Sequence, residues 1–89
     1  MADEKMKSET PGALAAAESV SLTATVEVAP GAIVSRTLAR SAGGNVTVFA
    51  FDRGQELAEH SAPFDAMVHL LEGELVVAIG GVDYQLAPG

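Results

Sequence analysis

The chain of 89 residues contains no cysteine and no tryptophan, and only five Lys and Arg against twelve Asp and Glu. Each shortage removes a class of function. Without cysteine there is no disulfide framework, no thiolate nucleophile and no Cys-type zinc or iron–sulfur site. A formal net charge of −7 opposes both a nucleic-acid groove and electrostatic docking on an anionic membrane. Three Phe and one Tyr, with so few basic residues, do not make a base-stacking platform. No apolar run approaches the ~18 residues of a membrane span. The opening Met-Ala-Asp-Glu-Lys is polar, unlike the apolar core of a signal peptide. The expectation is a cytoplasmic protein with neither nucleic acid nor membrane as partner.

What is present is a chain 48% apolar, with alanine a large share of that. This exceeds the apolar content of a disordered chain and suffices for one modest core in one domain. Residues 1–19 read as a flexible tail, with Thr10 and Pro11 able to open a short helix over Ala13 to Glu18. From Val20 the pattern turns to β. Residues 20–28 alternate, Pro30-Gly31 marks a turn, and Ile33 to Arg40 reads as a strand. Asn45 to Asp52 (NVTVFAFD) is the clearest strand, rich in β-branched and aromatic residues. Asp65 to Leu71 and Glu74 to Ile79 flank Glu72-Gly73 as a hairpin would, and Gly80-Gly81 leads to a further strand, Val82 to Leu86. Turns at intervals of roughly 8–12 residues argue an all-β sandwich or barrel over residues 20–89.

Several of these strands are apolar at both parities: Ala66, Val68 and Leu70 against Met67 and Leu71, and Leu75, Val77 and Ile79 against Val76 and Ala78. An antiparallel sheet with one wet face alternates cleanly. Two apolar faces in so short a chain imply a covering partner, most simply a second copy in a homodimer. The turn signal Pro88-Gly89 with no strand after it leads to the expectation that the domain's C-terminal part is missing.

The stretch from Gly54 to Gly73, GQELAEHSAPFDAMVHLLEG, with FDRGQ at its start and HLLEGELVVAIGG at its end, resembles the first motif of the cupins. Gly54, His60 and Gly73 fall at that motif's spacings. The resemblance covers about residues 33–89 and is to the small single-domain, conserved-barrel type. It implies a jelly-roll β-barrel (a double-stranded β-helix), incomplete in this chain, and a dimer. Cupins commonly hold Fe, Mn, Ni or Zn with two His and a Glu of this motif and a His of a second. Here Ala62 stands at the second His position, Ala66 at the Glu position, and the second motif is lacking. His60 is the one ligand position retained.

These residues lead to two functional expectations. The first is a small organic ligand bound in a barrel lined by His60, Ala62, Phe64, Ala66, Val68 and Leu70, the metal site having degenerated. The alternative is a metal-dependent enzyme, dioxygenase- or isomerase-like, with a divalent ion on His60 completed by ligands beyond residue 89; one imidazole alone does not hold such an ion. A third reading is a purely oligomerising module. His69 reads as a core or interface histidine of opposite parity. Asp65, Glu56 and Glu59 could serve acid–base chemistry, but the plainer reading is solvated loop acids. Gly54, Gly73, Gly80 and Gly81 read as turn glycines with positive φ. They open no helix and precede no Lys, so they make no phosphate loop.

Overall fold

The computed structural model describes residues 12–57 and 65–89. It is all-β, with four antiparallel strands: β1 (Ile33–Ser41), β2 (Gly44–Phe51), β3 (Leu75–Ile79) and β4 (Val82–Leu86). They form two two-stranded sheets, β1–β2 and β3–β4, preceded by a single 3-10 turn at Leu22–Ala24. The chain divides into two compact units, Met1–Ala58 and Glu59–Gly89. The described residues do not form a complete jelly-roll barrel. Among them, no helix is long and apolar enough to cross a membrane.

The first hairpin lies where β-branched and aromatic residues are densest. Ile33 pairs with Phe51, Val34 with Ala50 and Arg36 with Val48. Thr37 stands opposite Thr47, and their hydroxyls lie 3.1 Å apart, a cross-strand hydrogen bond on the half-buried surface. Phe49 and Phe51 share that face two residues apart, ring centroids 5.9 Å apart and tilted by 40°. The register then shifts by one between Thr37 and Ala39. Leu38 is the extra residue of this bulge and the best-buried side chain of the described chain, 3% exposed; Ala50 is the other buried hydrophobic residue.

The segment before β1 departs from the expected helix and strand. Leu14 donates its N–H to the Leu38 carbonyl at 2.9 Å, and Arg36 donates Nε–H to the Gly12 carbonyl at 2.6 Å. These long-range bonds hold residues 12–14 against the edge of β1 that faces away from β2, so the short helix over 13–18, marginal at that length, does not form. Gly12 is needed there: its φ is +84°, and a Cβ on it would lie 3.0 Å from Arg36 Cγ. The strand expected over 20–28 is replaced by the turn at Leu22–Ala24. Ser21 and Thr23 bond each other at 3.2 Å, and Thr25 returns both its N–H and its Oγ1–H to the Leu22 carbonyl. Such local hydroxyl bonds compete with a sheet ladder, which here has no partner strand.

In the second unit one of the two expected hairpins forms. Residues 65–71 are not a strand, and β3 pairs with β4 across Gly80-Gly81. The φ values decide this. A two-residue hairpin turn of the favoured type needs positive φ at both central positions; Gly80 (59°) and Gly81 (81°) supply both, whereas Glu72-Gly73 supplies only one. Gly89 donates its N–H to the Leu70 carbonyl at 3.0 Å and ties the segment before β3 to the residues after β4. No described residue of this unit is buried.

Leu38→Ala should lower the unfolding free energy by about 2–4 kcal/mol, as expected for truncating a buried leucine. The exposed Val46→Ala should change it by less than about 0.5 kcal/mol. Urea unfolding followed by circular dichroism checks both.

Candidate functional site

Of the six residues expected to line a ligand pocket, His60, Ala62 and Phe64 lie outside the described residues, as does Glu59. Ala66, Val68 and Leu70 lie in the segment leading to Gly73, which pairs with no strand. Their alternate positions keep them at one parity. Val68 is 58% exposed, Ala66 is exposed and Leu70 is half-buried. None of the three carries a donor atom. His69, Asp65 and Glu56 are exposed. The described residues supply no metal site: among them, no group of three or more His, Cys, Asp or Glu is gathered to hold an ion. The glycines at 54, 73, 80 and 81 all have positive φ, as their turn role requires.

Asp52 ends β2 and organises the open end of the first hairpin. Its Oδ2 accepts the Gly31 N–H at 2.6 Å, its own N–H reaches the Ala32 carbonyl at 3.1 Å, and its carbonyl accepts from Gln55 at 3.1 Å. The Gly31 N–H, helped by the Arg53 N–H and charge, holds this carboxyl below its ordinary 3.8, slightly opposed by desolvation. This is a structural carboxylate that locks the Pro30-Gly31 turn onto the strand end.

Two concavities stand out among the described residues. One, of about 260 Å³, lies in the first unit between the 13–25 segment and Arg36. Leu14, Val20 and Ala24 give it apolar wall; Glu18, Ser21 and Arg36 give it polar wall. Arg36 is half-buried, with Nε–H on the Gly12 carbonyl and Nη1–H on the Thr25 carbonyl at 3.4 Å. The other, of about 410 Å³, lies at the open end of the β3–β4 hairpin between Gly73-Glu74 and Gln85 to Pro88. Its polar side chains are Glu74 and Gln85, which do not converge on a recognisable chemistry.

Arg36 is the residue that sequence reasoning passed over. A signal existed: Arg36 stands at the parity of Val34 and Leu38, so the alternation turns a cation to the side of two aliphatic residues. Comparison of the chain with family models, with curated proteins and with solved structures finds no match.

The carboxyl of Asp52 is depressed, so the stability it contributes is full above the ordinary 3.8 and is lost as pH falls through the folded value. Asp52→Asn should flatten this acid limb of the stability curve. Urea midpoints measured from neutral pH downward, with an NMR titration of the carboxyl carbon, check it.

Proposed function

We propose that this chain is a small β-module that binds a compact organic ligand in a cupin-like barrel, its metal site reduced to His60. The observation that supports this reading is the Ala66, Val68 and Leu70 set. These are small and medium apolar side chains at one parity, with no donor atom where the resembled motif has its Glu. Such a wall takes an apolar ligand body, with His60 left to hydrogen-bond a polar group. The cytoplasm is the compartment this reading assumes.

The reading includes a second copy of the chain as partner. On the β3–β4 hairpin, Leu75, Val77 and Ile79 share one face with Leu86, Tyr84 and Val82, pair by pair. Asp83 and Gln85 stand on the other face with Ala78 and Val76, so the cross-strand partners restore an alternation that β3 alone does not show. Ile79, Val82 and Tyr84 are 63%, 53% and 49% exposed. No charge stands on this face. Two such faces stacked as sheets about 10 Å apart would leave Asp83 of each copy outward, beyond a screening length of about 8 Å. The acidity of the chain therefore does not oppose self-association through this surface.

Two experiments test the reading. Ala62→His with Ala66→Glu should restore a three-donor set and give zinc affinity in the micromolar range or better, where the unmodified chain binds on the order of millimolar. Stoichiometric metal retained by the unmodified protein through dialysis would favour the metal-dependent enzyme instead. Light scattering at micromolar concentration should give twice the chain mass, and Ile79→Asp should halve it without loss of β signal. A monomer before substitution overturns the dimer.

A further inference from the structure

We propose that the concavity over Arg36 is a binding site for a small monocarboxylate with a short apolar tail. The site is built from residues 13–36 and does not depend on His60, so its fate and that of the barrel reading are separable.

The argument begins with the guanidinium. Arginine carries five N–H donors in a planar fork and stays charged at every working pH. Arg36 spends Nε–H on the Gly12 carbonyl at 2.6 Å and one Nη1–H on the Thr25 carbonyl at 3.4 Å. Both partners are neutral main-chain groups, and among the described residues no carboxylate pairs with it. Among the described residues, then, this half-buried cation forms no ion pair, while the two carbonyls hold the fork from two sides. The Nε edge is blocked by Gly12. The end formed by Nη1 and Nη2 keeps unspent N–H groups, the geometry that takes a carboxylate in two parallel bonds.

The walls select the rest of the ligand. Leu14, Val20 and Ala24 are apolar, and the volume of about 260 Å³ is smaller than ordinary ligand pockets of ~300–1,000 Å³. A chain of a few carbons fits within it. The charge balance selects a monoanion. Arg36 is the sole cation of the wall, and Glu18 lines the same concavity. A phosphate dianion would meet one positive and one negative side chain; a carboxylate matches the single guanidinium. Glu18 is exposed, so it weakens the site without closing it.

The test uses the full-length, isotope-labelled chain titrated with sodium butyrate, against sodium chloride at equal ionic strength. The Arg36 side-chain N–H signal and the amides of Leu14, Ser21 and Ala24 should move saturably, with a dissociation constant on the order of 1 mM. Glu18→Gln should tighten binding about threefold by removing a screened like charge. Arg36→Lys keeps the charge, loses the fork and should weaken binding about tenfold. Substituting Arg36 also disturbs its hold on Gly12, so Ala24→Leu supplies the independent arm: it fills the concavity from an exposed position and should abolish the shifts with the hairpin intact. Shifts that do not saturate, that chloride reproduces, or that survive Ala24→Leu overturn the site.

Discussion

The first unit depends on how the chain before β1 is fastened to it. A lone two-stranded hairpin is marginal in water, because each strand has only one neighbour and one face finds no cover. Here Arg36 reaches the carbonyls of Gly12 and Thr25, and the carbonyl of Leu38 receives the Leu14 N–H. These contacts join residues 12–25 to the strand next to the bulge that buries Leu38. The bulge and the fastening belong together. As the extra residue, Leu38 breaks the regular ladder and is buried, and its carbonyl accepts the Leu14 N–H.

The same economy explains the chemistry available at that edge. A guanidinium that bonds main-chain carbonyls gains hydrogen bonds without losing its charge, since carbonyls are dipoles and not counter-ions. The structural role of Arg36 therefore leaves a cation without an ion pair among the described residues, beside a small hollow of mixed polarity. Asp52 is the contrast at the other end of the hairpin. Its carboxylate takes up backbone N–H groups and the neighbouring Arg53 charge, so its electrostatic demand is met locally.

The second unit is built on the opposite principle. Its hairpin separates apolar residues from polar ones by face, and the Gly80-Gly81 turn holds that register, because slipping by one residue would exchange the faces. With no described residue buried, the unit's apolar face stands exposed, and Asp83 lies on the opposite face. The segment 65–71 extends the apolar character toward the positions where a cupin would carry metal donors.

The β class, the strands near 33–41, 44–51, 75–79 and 82–86, and the turn glycines could all be read from the chain, because each follows from local rules: β-branched density, parity and the need for positive φ. The candidate pocket was legible only as spacing, from Gly54 through His60 to Gly73, and half of its residues lie outside those described. One outcome was decided by contacts distant in sequence: the bonds joining Gly12 and Leu14 to β1 outweighed a short helix. Local hydroxyl bonds at Ser21 to Thr25 stand where a strand would have had no partner, and 65–71 stays unpaired while the Gly80-Gly81 hairpin forms. The hollow over Arg36 is of the first kind. Its residues come from Ala13 to Arg36; parity marks Arg36 alone, and only the fold brings that guanidinium, Glu18 and a few methyl groups to the same place.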